Sequence, residues 1–242
     1  MKDEMKQMKP IVINSPSIAN CNTLHAREDI EELRRAGVQF LHVDLMDGNY
    51  VPNLCFPVRM MQDLKAEYPD MVLDVHMMVT DPIAYVDRMA EAGVDYLSFH
   101  EDSTHFAVRT IDRILNRGMK PGIVINPSQQ VDVIRPYADM LDMVTLMAVE
   151  PGFAGQRFMV RAVDRVAELA TLRKQCRKDF LINVDGAMTY ESLVPCVKRG
   201  ANVIVTGIFT IFQQPEGIAG ACKKFNRICR EALDSGLIGD AY

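Results

Sequence analysis

Three short apolar runs end in residues able to bind a cation or move a proton: HVDLMDG (His42 to Gly48), DVHMMV (Asp74 to Val79) and INVDG (Ile182 to Gly186). In an extended strand, side chains two apart share a face. His42 and Asp44 therefore point the same way, and His76 and Asp185 can join them from neighbouring strands. Two imidazoles and two carboxylates supply two nitrogens and at least two oxygens. That donor set suits zinc, iron(II), manganese or cobalt better than calcium. Taken singly, each residue fits a satisfied core histidine or a helix-capping aspartate. Taken together they do not, because burying two carboxylates with neither a cation nor a proton is costly. The set predicts one divalent metal ion, with carboxylates left to act as acid and base. Asp47, in the MDG turn, reads as a turn-shaping or capping residue rather than a ligand. His100, in FHED, either contacts a substrate or orients a ligand, while His25 and His105 read as surface residues.

These residues need elements that bring strand ends together. A unit recurs along the chain: amphipathic helix, glycine, one or two residues, apolar strand. It appears as EELRRAG-VQFLHVD, RMAEAG-VDYLSFH, ILNRG-MKPGIVIN and CVKRG-ANVIVTG. Gly37, Gly93, Gly118 and Gly200 fit helix C-caps, where glycine takes the left-handed conformation without penalty. Asp81 and Pro82 read as the N-cap and first residue of another helix. Strand candidates fall near 11–16, 39–44, 71–76, 95–100, 120–125, 143–148, 180–185 and 202–206, as nearly continuous apolar runs suited to burial on both faces. Eight βα units in 242 residues predict an α/β fold of the (β/α)8 TIM-barrel type. A doubly wound open sheet is the structural competitor, but its dinucleotide glycine fingerprint is absent. With no break in composition, residues 1–242 read as a single domain with polar tails at about 1–9 and 232–242. In a barrel, chemistry sits at the C-terminal strand ends. Ser17, Asp44, His76, His100, Asn126, Glu150, Asp185 and Gly207 all fall there.

Glycine clusters follow the last three strands: EPGFAGQ (Glu150 to Gln156), DGAM (Asp185 to Met188) and TGIF (Thr206 to Phe209). Each alone is an ordinary turn. Three in succession on the face that carries the metal candidates predict a phosphate cradle built from backbone N–H groups. Arg157 is the sole cation in these turns. Met46, Met78 and Met147 stand beside the proposed ligands, where they read either as a thioether lid over a dry site or as plain packing.

Bulk properties narrow the partners. A net charge of −5 argues against a nucleic-acid or anionic-membrane surface, so an anionic substrate must be captured locally. Cys21, Cys55, Cys176, Cys196, Cys222 and Cys229 form no CxxC pair and read as reduced, mostly buried thiols. The polar start MKDEMKQMKP has no signal core, and no run approaches the ~18 apolar residues of a membrane span. The expectation is a cytoplasmic protein.

The motifs SPSI, HVDLMDGNYVPN, DVHMMV, INPS, MAVEPGFAGQRF, NVDG and GANVIVTG resemble the ribulose-phosphate 3-epimerase family over roughly residues 10 to 230. The resemblance implies that His42, Asp44, His76 and Asp185 bind the metal, with Asp44 the proton acceptor and Asp185 the donor on the opposite face. It assigns substrate contacts to Ser17 and His76. Phosphate-binding turns fall on Gly152, Phe153, Ala154, Gly155, Gly186, Ala187, Gly207 and Ile208, and the lid on Met46, Met78 and Met147. The implied reaction interconverts D-ribulose 5-phosphate and D-xylulose 5-phosphate by two-aspartate proton transfer at C3 through a metal-stabilised cis-enediolate. A homodimer or hexamer is also implied. The family usually shows PGFGGQ, DGG and GSAIF, whereas this chain has PGFAGQ, DGAM and GIFTIF, so backbone donors survive and one hydroxyl is lost. PGFAGQ and the altered DGG also resemble the allulose-6-phosphate 3-epimerase branch, which would convert allulose 6-phosphate to fructose 6-phosphate. A non-catalytic sugar-phosphate-binding homologue is the non-enzyme alternative. Schiff-base aldolase chemistry would require a strand-end lysine, and Lys120 precedes its strand.

Overall fold

The described residues form nine strands, all but the third on the expected apolar runs: β1 (Ile13–Pro16), β2 (Phe40–Asp47), β3 (Leu54–Cys55), β4 (Val72–Met78), β5 (Tyr96–His100), β6 (Lys120–Ile125), β7 (Met143–Met147), β8 (Leu181–Asp185) and β9 (Val203–Thr206). The computed structural model describes residues 12–236. Eight strands are parallel in the order β1-β9-β8-β7-β6-β5-β4-β2. A parallel bridge between Ser17 and His42 joins β1 to β2 and closes the ring. The helices α1 (Ala26–Arg35), α2 (Val58–Glu67), α3 (Val86–Glu91), α4 (Ala107–Asn116), α5 (Ala162–Cys176), α6 (Tyr190–Lys198) and α7 (Gly217–Asp234) alternate with the strands. This is the expected TIM barrel.

Alternation along each strand sorts the side chains. Outward residues such as Leu41, Val43, Leu73, Val75, Val144 and Leu146 are buried against the helices in one continuous core. Inward residues form layers. Ile13, Phe40, Val72, Tyr96, Met143, Leu181 and Val203 make an apolar floor at the strands' N-terminal ends. Above it Ser15, His42, Asp74, Ser98, Thr145 and Asn183 are buried and polar. At the third inward position Asp44 of β2, His76 of β4, Met147 of β7 and Asp185 of β8 line the mouth. At the middle layer a Cβ on Gly122 would stand 2.0 Å from Ser98 Oγ, so this strand crossing admits only glycine.

Several boundaries differ from expectation. β3 is an added strand, folded back antiparallel on β2 (Met46 opposite Cys55, Asp47 opposite Leu54). The element before β7 is a kinked 3-10 segment, Val131–Met140, interrupted at Tyr137 just after Pro136, which lacks the N–H an α-helix would use. Asp81 makes no side-chain cap; Pro82–Tyr85 is a 3-10 turn leading into α3. Gly37, Gly93, Gly118 and Gly200 do adopt positive φ after their helices, at 85°, 78°, 79° and 109°. α7 runs to Asp234 and buries Ala232, so ordered helix enters the stretch expected as a tail from 232. The expected 1–9 tail, residue 11 of the first strand and residues 237–242 lie outside the described residues. Cys21, Cys196, Cys222 and Cys229 are buried and Cys55 and Cys176 half-buried, all as free thiols. Among the described residues no helix is long and apolar enough to cross a membrane.

Candidate metal centre and active site

Register places the first candidates side by side. Asp44 of β2 pairs with His76 of β4, and Met46 with Met78 one step further on. Across the barrel, Met147 of β7 pairs with Asp185 of β8. The four donor atoms alternate in kind. His42 Nε2 lies 3.4 Å from Asp44 Oδ1 and 3.6 Å from Asp185 Oδ2; His76 Nδ1 lies 3.4 Å from each of the same oxygens. The carboxylates thus occupy opposite corners. All four atoms fall within 4.8 Å of one another, a grouping that could hold a metal ion. Ligands about 2.1 Å from a common ion stand roughly 3.0–3.5 Å apart along their edges, which matches these distances.

Hydrogen bonding supports the fit. His42 Nε2 and His76 Nδ1 are buried with no hydrogen-bond partner. Such orphaned atoms are expensive unless something else satisfies them. Their other ring nitrogens are engaged, His42 Nδ1 with Asp74 Oδ2 at 2.8 Å and His76 Nε2 with His100 Nε2 at 2.8 Å. Such outer partners orient metal-binding imidazoles. Ser17 Oγ donates to Asp44 Oδ2 at 2.7 Å, leaving Oδ1 to face the histidines.

Electrostatics without a cation follow from the same square. Burial opposes charge on His42, but Asp74, Asp44 and Asp185 outweigh it and hold its pKa well above the ordinary value. Burial likewise opposes charge on His76, and Asp185 and Asp44 raise its pKa in the same way. Burial would raise Asp44 and Asp185, yet the two histidines keep both carboxyls below the usual range. His100 is pushed well below its usual value by burial and by His76 beside it.

A cavity of about 120 Å³ opens over the square, lined by the expected metal, phosphate and lid residues except His42, which lies beneath it at 1% exposure; His100 and Asn126 do not reach it. Met78 and Met147 are buried and Met46 half-buried around the mouth. The glycine turns form the opposite wall. Gly152, Gly155 and Gly186 take positive φ, and so does Ala187 at 48°. Its side chain packs with Val124, Met147 and Val149. Phe153 is 53% exposed at the rim. Gly207 N–H meets Thr210 Oγ1 at 3.4 Å, so the turn that has Ile208 retains a nearby hydroxyl. The excursion between β2 and β3 backs the first turn, with Asn53 Nδ2 donating to Gly152 O at 2.8 Å. Asp47 serves its own turn, accepting from the N–H groups of Asn49 and Tyr50, and ties it to Thr80.

Three participants escape the motif reading. Asp74 was detectable, since it stands two residues before His76 on the same strand face. Asn20 lines the cavity near Gly207, and Tyr50 covers His100 with ring centroids 4.6 Å apart. Asn20 ends a short 3-10 turn (Ile18–Asn20) and Tyr50 lies in a loop, so neither carries a periodic signal.

Comparison with known proteins decides the family. A model described as the ribulose-phosphate 3 epimerase family matches residues 13–212. The chain belongs to the ribulose-phosphate 3-epimerase family. It is 35% identical to the ribulose-phosphate 3-epimerase of Bacillus subtilis over 194 residues, covering 80% of this chain and 89% of that protein. Identity with the Methanocaldococcus jannaschii ribulose-phosphate 3-epimerase is 32% over 226 residues, 93% and 94% of the two chains. The chloroplastic ribulose-5-phosphate-3-epimerase of Arabidopsis thaliana matches at 35% over 219 residues, 88% and 76%. Among solved structures, KGPDC from Streptococcus mutans superposes with a TM-score of 0.69 at 14% identity, covering 94% and 99% of the chains. 3-Hexulose-6-phosphate synthase from Salmonella typhimurium gives 0.66 at 14% identity, covering 92% and 100%. These two share the barrel. Members of the epimerase family are isomerases, and the buried His/Asp group could hold a metal ion.

Proposed function

We propose that the protein is a metal-dependent ketose-phosphate 3-epimerase interconverting D-ribulose 5-phosphate and D-xylulose 5-phosphate. The observation that carries this reading is the alternating square of His42, Asp44, His76 and Asp185, with both inward imidazole nitrogens otherwise unpartnered. Zinc, iron(II), manganese and cobalt all suit these donors. A divalent ion bound there supplies Lewis-acid stabilisation of the charge that develops when the C3 proton leaves.

The chain's own groups supply the rest. Asp44, with Oδ2 held by Ser17, removes the C3 proton from one face. Asp185, at the opposite corner, enters the cycle protonated and gives that proton to the other face, inverting the centre; exchange with solvent then resets both carboxyls. Met46, Met78 and Met147 exclude water from the planar enediolate and offer it polarizable contacts. The phosphate sits against the turns at Gly152–Gly155, Gly186–Ala187 and Gly207–Ile208, where backbone N–H groups donate. Among the described residues, the N–H groups of Gly186, Ala187 and Ile208 have no acceptor within the protein.

The pentulose substrate is favoured over allulose 6-phosphate, because the curated relatives carry the ribulose-phosphate name. A cytoplasmic setting fits the bacterial relatives, although the plant relative is named chloroplastic. Assembly as a dimer or hexamer is part of the proposal, and exposed Leu54, Phe153 and Val160 are available to such contacts. The test is proton NMR in D₂O with zinc-, manganese- or cobalt-loaded protein and ribulose 5-phosphate. Deuterium entering C3 with formation of the epimer is expected. Tight binding of the sugar phosphate without exchange would make the protein a binding homologue instead.

A further inference from the structure

The two histidine corners are held by different devices. Behind His42 stands the Asp74 carboxylate, which can only accept, so it fixes the proton on Nδ1 and frees Nε2. Behind His76 stands a second imidazole, with Nε2 of His100 at 2.8 Å from Nε2 of His76. Ring nitrogens that close share a single proton. If His76 owns it, Nδ1 is a lone pair facing the corner. If His100 owns it, a neutral His76 carries its proton on Nδ1 and cannot bind a cation.

Three further groups break this tie. Asn126 Nδ2 donates to Asp102 Oδ2 at 3.0 Å and to Tyr50 Oη at 2.7 Å, while Tyr50 Oη–H donates to Asp102 Oδ1 at 2.8 Å. Because a carboxylate only accepts, Asp102 dictates which end of the Asn126 amide faces it. Oδ1 is then left for His100. His100 Nδ1 and Asn126 Oδ1 are both buried and neither meets a hydrogen-bond partner at normal distance, so a donor and an acceptor are left over on two side chains that interact. Asn126 is itself anchored, its backbone N–H donating to Gln129 Oε1 at 2.9 Å and its carbonyl accepting from Arg165 at 2.8 Å.

We propose that Asp102, Asn126 and His100 form a polarised chain that puts the His76 proton on Nε2 and presents Nδ1 to the metal. Each link forces the next. Asp102 orients the amide, the amide oxygen takes the Nδ1 proton of His100, and His100 Nε2 accepts from His76. Remove Asp102, and Tyr50 can donate to Asn126 Oδ1 instead. The amide can then flip and reverse the whole chain. His100, Asn126 and Asp102 are thus positioning residues for a ligand that none of them replaces. The inference rests on the metal-site reading above, but the His100 tautomer it requires, with the proton on Nδ1, is the same with or without a metal.

The test is two-bond ¹H–¹⁵N NMR of the histidine rings in the full-length protein, metal-free and zinc-loaded, with zinc affinity from chelator competition. Wild type should show His100 protonated at Nδ1 in both states. Asp102→Leu, an exposed position, should move His100 towards the Nε2–H form and weaken zinc several-fold. His100→Phe should weaken zinc by about 10–100-fold, the usual cost of losing an outer partner of a metal ligand. His100→Gln, whose amide oxygen can accept from His76, should recover most of that loss; it also serves if the Phe variant does not fold. A wild-type His100 protonated at Nε2, or unchanged zinc affinity in His100→Phe, would overturn the proposal. So would an Asp102→Leu variant with the wild-type ring pattern. Intact ring patterns with no C3 exchange would instead remove the epimerase reading alone.

Discussion

Asp44 commits its two oxygens to different partners, Ser17 on one side and the two histidines on the other. Asp44→Asn preserves the shape and the Ser17 contact but removes the base. C3 exchange should fall by about 10²–10⁴-fold, the usual worth of a positioned proton acceptor. Thermal unfolding and zinc content followed alongside separate lost chemistry from lost fold and lost metal. Ala187 allows a different comparison. Its left-handed backbone costs an alanine about 1–2 kcal/mol, but Ala187→Gly also raises the entropy of the unfolded chain by about 0.4–1 kcal/mol. These partly cancel, so stability should rise by no more than about 1.6 kcal/mol. The loss of a methyl packed on Met147 and Val149 should appear as a change in KM for the sugar phosphate. At this scale His42, Asp44, His76 and Asp185 were legible because a strand's period of two puts them on one face. Tyr50 and Asp102 were not, because their meeting with Asn126 depends on how two loops fold over the mouth.

Elements carry the same lesson. The eight parallel strands were readable from apolar runs flanked by helix-capping glycines, since both signals are local. β3 was not, because two residues paired to the end of β2 leave no periodicity. Asp81 looked like a cap by residue type, but the 3-10 turn after it offers no N–H in reach. Asp47 is what holds the β2–β3 excursion to the rest. Burial opposes its charge, yet the N–H groups of Thr80, Tyr50 and Asn49 together outweigh this and bring its pKa from 3.8 to about 2. A carboxyl lowered on folding stabilises the protein above its unfolded pKa. That contribution should fade as pH drops from about 4 to about 2. Asp47→Ala should cost about 1 kcal/mol near neutral pH, discounted for the residue's partial exposure, and less in acid. Urea unfolding of both proteins across that range measures it. A constant gap down to the acid end would mean that Asp47 acts by packing and not by charge.

At the scale of the molecule, the His/Asp square clasps β2, β4 and β8, and Ser17 adds β1 through Asp44. A cation there braces half the barrel. Without one, His42 and His76 carry raised pKa values, so their pairing with the carboxylates contributes fully below the unfolded histidine value of about 6.5. It is lost as pH rises through the higher folded values. Zinc has the opposite dependence, because it requires both rings neutral at the corner and must displace their protons. Zinc at 100 times its Kd should add about 2.7 kcal/mol. For a chain of this size that corresponds to a rise in Tm of roughly 5–11 °C, at about 2–4 °C per kcal/mol. The rise should shrink at pH 6 and grow at pH 8, and chelation should reverse it. Thermal scans at several pH values, with zinc or with EDTA, give the comparison directly. Equal melting with and without zinc at every pH would mean that the square is satisfied by its own protons, and the metal-dependent mechanism would fail with it. A gain that grows as pH rises would show the cation and the protons competing for the same two nitrogens.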